Sequence, residues 1–380
     1  MTGHAMRSAI PLRDADYFPF LHSQIVQAHR RIWVSMFTVN ARHTRDARLH
    51  VRTLLHDLAA AVNRGVDVRV LIGADAQSQS ALQVANRVAS GYLKALGVPS
   101  RWHEGARRHA SHAKCVVIDD ECLIVGSHNW SPRALARGID DSIAVRSEGI
   151  AVEAAAWFVR QWARGIETRV MATARPSRMR LNARPPHPVT AAFAIGDGQD
   201  GDVERRTERL LSTRDGSGTA TMLWGDRYRL QLRTCFAAAE SSIDVIMFYA
   251  SFNSAKHPTR DLIDALRSAR ARGVNVRVIL DRGQLPDRTS LNRVNDRAAA
   301  ALRRAGVAVE FEKPERVTHS KVVIVDRRFT LIGSHNWTAH SLLTYGDASV
   351  MIDCPRVADD CTHDFDVRWA ALRRTEPIGN

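Results

Sequence analysis

His112-Ala113-Lys114-Cys115-Val116-Val117-Ile118-Asp119 is followed shortly by Gly126-Ser127-His128-Asn129-Trp130-Ser131. The same text returns 207 positions later as His319-Ser320-Lys321-Val322-Val323-Ile324-Val325-Asp326 and Gly333-Ser334-His335-Asn336-Trp337-Thr338. Every polar landmark keeps its spacing, so one chain builds two equivalent units. In each copy the His and the Lys stand two residues apart at the mouth of an apolar run, which puts both on one face of a strand. Two imidazoles, two ammonium groups and the carboxamides of Asn129 and Asn336, brought to one point, make a set suited to hold a phosphate and react with it.

The lysines sharpen this reading. Of 54 Lys and Arg residues only five are Lys (94, 114, 256, 313 and 321), and two of these occupy the third position of the two motifs. Where a generic positive charge serves, the chain uses Arg; a compact ammonium with rotatable donors is a different instrument.

Working outward, each motif is preceded by the same run of elements. An apolar strand comes first, Ile32 to Phe37 in one half and Ile243 to Phe248 in the other. Helices of 3.6-residue period follow over 49–63 and 259–271 and stop at Gly65 and Gly273, as left-handed caps. Buried strands over 66–72 and 274–280 match almost letter for letter. Second helices end at Gly97 and Gly306 and lead through a short strand into the motif. The motif itself reads as two short strands around a turn, and Ser131 or Thr338 then reads as a helix N-cap. The expected class is α/β, with two repeats, each a mostly parallel or mixed sheet flanked by helices. The repeats are placed at 15–168 and 227–375. Between them, 169–226 interleaves Pro and Arg (Arg175 to Arg184) and then turns Gly- and Asp-rich, as a mobile linker does.

The bulk numbers bound the rest. Hydrophobic residues make up 45% and charged residues 25% of 380 positions, an ordinary soluble balance. No run of 18 apolar residues occurs, and Met1 to Phe20 carries charges and Pro11 where a signal peptide needs an apolar stretch, so a cytoplasmic protein is expected. The five cysteines form no C-x-x-C pattern and read as reduced core residues. The net charge of +14 favours a polyanionic partner, nucleic acid or an anionic membrane surface. His109, three residues before His112, has no counterpart in the second half, where Arg316 stands; no metal and no cofactor is expected, because the two ammonium groups supply the positive charge.

H-A-K-C-V-V-I-D with G-S-H-N, and H-S-K-V-V-I-V-D with G-S-H-N, resemble the paired motifs of the phospholipase D superfamily. The resemblance covers both repeats and not the linker. It implies two halves packed about a pseudo-twofold axis into one site. It also implies a covalent phosphohistidine on one motif His, proton donation by the other, and a downstream carboxylate that orients each ring. His112 is the expected nucleophile on that likeness alone. Asp140 lies 28 residues after His112 and Asp347 lies 28 after His319, so each carboxylate is expected to serve the His of its own repeat, with Asp141 an equal alternative in the first half. Asp119 and Asp326 read as strand ties, and His128 and His335 as flanking residues. Ser127 and Ser334 are site donors or small turn residues; Trp130 and Trp337 are core anchors. The superfamily acts on nucleic acids and on phospholipids with one kind of site. The basic balance, and a G-S-H-N-W stretch more like compact bacterial nuclease-like members than cardiolipin synthases, favour metal-independent cleavage of nucleic-acid phosphodiesters. The alternative is a phospholipase D or phosphatidyl transferase.

Overall fold

The computed structural model describes residues 3–41, 50–73, 80–103, 111–136, 138–167, 217–251, 257–282, 289–313, 316–344 and 346–374. The chain opens with β1 (His4–Met6), β2 (Ser8–Arg13), α1 (Tyr17–Gln27), β3 (Arg31–Met36), α2 (His50–Asn63) and β4 (Asp67–Ile72). It continues through α3 (Ala81–Ala95), β5 (Ser100–Trp102), β6 (Lys114–Ile118), β7 (Cys122–Gly126), β8 (Asp141–Arg146), α4 (Glu148–Arg164) and β9 (Ile166–Glu167). The second half runs β10 (Gly218–Trp224), α5 (Asp226–Ala238), β11 (Ser242–Met247), α6 (Pro258–Ala271), β12 (Asn275–Leu280), α7 (Thr289–Arg304) and β13 (Ala308–Phe311). It closes with β14 (Lys321–Val325), β15 (Phe329–Gly333), α8 (Ala339–Leu343), β16 (Ala348–Asp353) and α9 (Pro355–Arg373).

Two sheets result, ordered β2-β8-β7-β6-β3-β4-β5-β9 and β1-β10-β16-β15-β14-β11-β12-β13. Only β3-β4-β5 and β11-β12-β13 run parallel; the motif hairpins β6-β7 and β14-β15 and the strands outside them pair antiparallel. The sheets are therefore mixed. Parallel pairing occurs where a helix carries the chain back across the sheet, and antiparallel pairing where a tight turn suffices. Gly65 and Gly273, at φ +87° and +95°, end α2 and α6 in the left-handed conformation that only glycine adopts freely.

The repeat bounds read from the sequence are exceeded on both sides. Before residue 15, β2 joins the sheet of its own half, whereas β1 crosses over and pairs with β10 of the other. Within the segment expected to link the halves, Gly218–Trp224 is β10, a strand of the second sheet; 168–216, with the Arg175 to Arg184 stretch, lies outside the described residues. The helix expected after Ser131 is a run of turns, with Ser131 Oγ accepting the Ala134 amide at 3.2 Å. Its counterpart is a true cap: Thr338 Oγ1 accepts the Ser341 amide at 3.1 Å and starts α8.

Each half has its own core, and a third cluster belongs to both. Trp33, Trp157, Phe158 and Cys115 from the first half are buried there with Ala220, Met222, Ile324, Val350, Phe365 and Trp369 from the second. A fully buried Phe or Leu is worth roughly 1.5–3 kcal/mol, so a joint core of this size holds the halves in one fixed relation. That relation is what the site requires.

Candidate active site

Both motif hairpins end at a glycine that meets its neighbour strand backbone to backbone. A Cβ on Gly126 would stand 2.0 Å from Ser142 Oγ, and one on Gly333 1.9 Å from Ser349 Oγ. This close approach delivers Ser127 and Ser334, both wholly buried, to the strand edges where β8 and β16 begin.

The motif histidines dock on the opposite half. The amides of His112 and Ala113 donate to Gly346 O at 2.7 and 2.9 Å, and the His319 amide donates to Ile139 O at 2.8 Å. The side chains follow the same rule. His112 Nδ1 lies 3.0 Å from Asp347 Oδ1 and 3.1 Å from Ser334 O. His319 Nδ1 lies 2.8 Å from Asp140 Oδ1 and 3.0 Å from Ser127 O. A carboxylate and a carbonyl only accept, so Nδ1 carries the proton in both rings and Nε2 keeps its lone pair. The two ring centroids stand 6.1 Å apart.

The pairing expected from the sequence, Asp140 with His112 and Asp347 with His319, is thus reversed. Each carboxylate serves the histidine of the other repeat, because the loops that carry them cross at the joint between halves. Asp141 touches neither ring. Its carboxylate faces Arg13 at 4.0 Å and Arg368 at 3.5 Å, an ion-pair cluster that ties β2 to α9.

Ser127 Oγ donates to Asp140 Oδ1 at 2.8 Å and accepts the Asp141 amide; Ser334 Oγ donates to Asp347 Oδ1 at 2.6 Å and accepts the Ala348 amide. The two serines therefore brace the orienting carboxylates. Asp347 has a further donor in Ser341 Oγ at 2.6 Å. Asp140 has in its place a backbone brace, its amide donating to Asp14 Oδ1 at 3.1 Å.

Lys114 and Lys321 are almost fully buried, each ammonium donating to the carbonyl of its motif His. Each also lies about over a ring, Lys114 Nζ at 5.0 Å from Phe37 and Lys321 Nζ at 4.9 Å from Phe248. The same rings meet the histidines edge-on, at 4.7 Å for Phe37 and His112 and 4.9 Å for Phe248 and His319.

Burial and the neighbouring Lys114 ammonium push His112 down to about 4; burial and Lys321 push His319 down to about 3. Lys321 is lowered by burial to about 7, and Lys114 falls well below the ordinary lysine range through burial and repulsion from Lys321. Burial alone would raise Asp140 and Asp347, yet the imidazole that each holds brings both well below the usual carboxylate range. Carboxylates and a lysine ammonium thus sit buried beside two neutral imidazoles. The negative charge of a phosphate raises the affinity of every imidazole and ammonium nearby for its proton.

Asn129 and Asn336 follow two residues after Ser127 and Ser334, whose carbonyls touch the rings. Both carry a buried Oδ1 without a hydrogen-bond partner among the described residues. Rotation about the last torsion exchanges that oxygen for an NH2 donor, so each carboxamide has unused hydrogen-bonding capacity.

The remaining motif residues build the frame. Asp119 accepts the amides of Arg30 and Arg31 at 2.8 and 3.0 Å, and Asp326 those of Ser241 and Ser242 at 2.8 and 2.9 Å, which ties each motif strand to the start of its neighbour. His128 stacks on Tyr17 at 4.4 Å and His335 on Tyr228 at 4.3 Å, with Nδ1 on Ser142 and Ser349. Trp130 and Trp337 are wholly buried.

Sequence reasoning passed over Asn86 and Asn295. Asn86 Nδ2 donates to Phe37 O and Gly73 O while its Oδ1 accepts the Val39 amide; Asn295 does the same for Phe248 O, Asp281 O and Ala250. They clamp the strand ends that carry the two phenylalanines. Asn86 lies 26 residues before His112 and Asn295 24 before His319, so a fixed offset does not align them. The phenylalanines did leave a signal, since both apolar strands end in Met-Phe.

The family model described as "Cardiolipin synthase, PLD-like domain" matches residues 21–162 and 232–369, one stretch in each half. The chain belongs to the phospholipase D superfamily. Within that superfamily, cardiolipin synthase B of Escherichia coli K12 is 25% identical over 350 residues, 88% of this chain and 74% of that protein. A phospholipase D of Rickettsia conorii is 33% identical over 95 residues, 25% of this chain and 44% of that protein. The chain thus matches less than half the length of the first curated relatives. The crystal structure of phosphatidylserine synthase from Haemophilus influenzae Rd KW20 shares the fold, with a TM-score of 0.65 at 12% identity over 96% of this chain and 88% of that one. The match to that model runs through both Gly-Ser-His-Asn stretches.

Proposed function

We propose that this protein cleaves or transfers the phosphodiester of a phospholipid headgroup through a covalent phosphohistidine. The observation that carries the substrate class is the alignment of 88% of the chain with a cardiolipin synthase, both halves included. The +14 charge fits the same reading, since anionic headgroups attract a basic surface as nucleic acid does. This replaces nucleic acid as the preferred substrate.

In the first step one imidazole attacks phosphorus through Nε2, its Nδ1 proton held by the carboxylate of the other half. The bond from phosphorus to the headgroup oxygen breaks, and that oxygen takes a proton from Nε2 of the second imidazole, charged as the anionic substrate enters. Lys114, Lys321, Asn129 and Asn336 donate to the non-bridging oxygens as charge builds there. In the second step the now neutral second imidazole takes a proton from water or an alcohol, whose oxygen attacks phosphorus and frees the first ring.

The test is incubation of the purified protein with labelled phosphatidylglycerol and cardiolipin vesicles and, in parallel, with labelled single- and double-stranded oligonucleotides. Turnover of lipid is expected. Phosphatidic acid as product marks water as the acceptor, and a new phosphatidyl ester marks an alcohol. Cleavage of oligonucleotides with the lipids left intact overturns the reading.

A further inference from the structure

The two halves repeat the site almost residue for residue, but not at the end of the second parallel strand. There the first half has Gly73 and the second has Asp281. The equivalence is set by hydrogen bonds: the Gly73 amide donates to Met36 O and the Asp281 amide to Met247 O, while Asn86 and Asn295 bind their carbonyls. A side chain is shut out of the first position, because a Cβ on Gly73 would stand 2.6 Å from Ser111 O and 2.8 Å from Phe37 Cα. In the second position a carboxylate is wholly buried, and its Oδ1 accepts the Thr318 amide at 2.8 Å, immediately before His319. Met247, whose carbonyl the Asp281 amide binds, is also the register partner of Lys321.

We propose that Asp281 is a positioning residue that makes the two lysines unequal: it pins the backbone entering the second motif and makes Lys321, not Lys114, the resident cation of the site. The charges that face Lys321 are the carboxylates of Asp140, Asp347, Asp281 and Asp141, opposed by the Lys114 ammonium and by burial. Lys114 faces only Asp347 and Asp140 among these carboxylates. His112 and His319 also lie within reach of Lys321, and a fixed charge there keeps them neutral until substrate arrives. Two ammonium groups in one buried site repel, so the additional carboxylates, Asp281 before Asp141, favour Lys321 as the one that keeps its proton. The consequence for catalysis rests on the phosphodiester reading above; the difference between the lysines does not.

The chain has only five lysines, so a protein labelled with 13C at Lys Cε gives five signals, assigned by single Lys→Arg substitutions at four of them, Lys114 included, with Lys321 the one that remains. Titrated in the unaltered protein, Lys321 is expected to hold its proton to higher pH than Lys114; the reverse order overturns the proposal without any variant. Asp281→Asn keeps an acceptor for the Thr318 amide and removes the charge. It is expected to lower the Lys321 midpoint by about one pH unit or more, the usual effect of losing one close opposite charge, and to move Lys114 less. An unchanged Lys321 midpoint, or equal shifts of both lysines, overturns the assignment. Hydrolysis of bis(4-nitrophenyl) phosphate across pH is the kinetic arm, in which Asp281→Asn should bring the alkaline limb down by the same interval. No turnover by the unaltered protein counts against the phosphodiester reading and leaves the lysine titration to decide this one.

Discussion

Asp347 Oδ1 lies 3.0 Å from His112 Nδ1 across 235 residues of chain, and Asp140 returns the arrangement to His319. Neither half supplies both members of either His–Asp pair. The site exists only at the joint, which explains why a shared core, the crossing of β1 and the Arg13–Asp141–Arg368 cluster all gather around that joint.

The crossed pairing is measurable by double-mutant cycles on unfolding free energy. His112→Ala with Asp347→Asn should show a coupling of about 0.5–3 kcal/mol, as residues in contact do. His112→Ala with Asp140→Asn should be close to additive. Turnover in either Asp→Asn variant is expected to fall on the order of 10⁴-fold, because an amide no longer fixes the Nδ1 tautomer. Coupling within each repeat in place of coupling across it would discard the geometry described above.

His112→Ala and His319→Ala should each remove nearly all turnover, and the double variant should be no worse than the weaker single one, since the rings act as one unit. Rates on labelled phospholipid vesicles decide this. Near-normal turnover in either single variant would mean that the halves do not share a site.

Catalysis should survive millimolar EDTA, because Lys321 supplies positive charge beside the two imidazoles and the proposed steps call on no metal. That charge would also repel a divalent cation. Loss of turnover in EDTA with recovery on adding magnesium or calcium is the contrary result.

Gly126→Ala and Gly333→Ala should each destabilise the fold by about 1–3 kcal/mol through overpacking against Ser142 and Ser349, and lower activity by displacing Ser127 or Ser334. Gly65→Ala, at a left-handed position with nothing within 4 Å of the added methyl, should cost stability while leaving turnover per folded molecule intact. Denaturant melts with parallel rate measurements separate the two effects. Equal activity losses at Gly65 and Gly126 would defeat the argument.

Stability should fall as the medium is acidified. Burial holds His112, His335 and His319 at about 4, 4 and 3, against 6.5 when exposed. Between those values the unfolded chain binds protons that the folded chain refuses, so the stabilisation present above 6.5 is lost as pH drops toward 4. Asp14, raised by burial and Asp141 to about 6, works in the opposite sense, as do His22, Asp244 and Asp364 with their raised values, but His56, His128 and His257 are lowered by burial and add to the first set. The melting temperature recorded from pH 7.5 to 4.5 should therefore decline; a flat profile would contradict the neutral buried imidazoles.

The sequence by itself determined the repeat, the α/β alternation and the two His-Lys pairs that the structure brings together. His, Lys and Asn at fixed spacing in two apolar hairpins are local facts, written by strand periodicity and turn chemistry, and Trp130, Trp337, Asp119 and Asp326 take the framing roles that their positions suggest. Only the tertiary structure decided which carboxylate meets which ring. Asp140 and Asp347 lie equally far downstream of the two histidines, and spacing along a chain says nothing about loops that cross when two sheets share a core. The same holds for Asp281, Asn86 and Asn295. Their roles depend on which strand ends lie side by side, and that is fixed by packing between elements distant in sequence and not by any pattern within them.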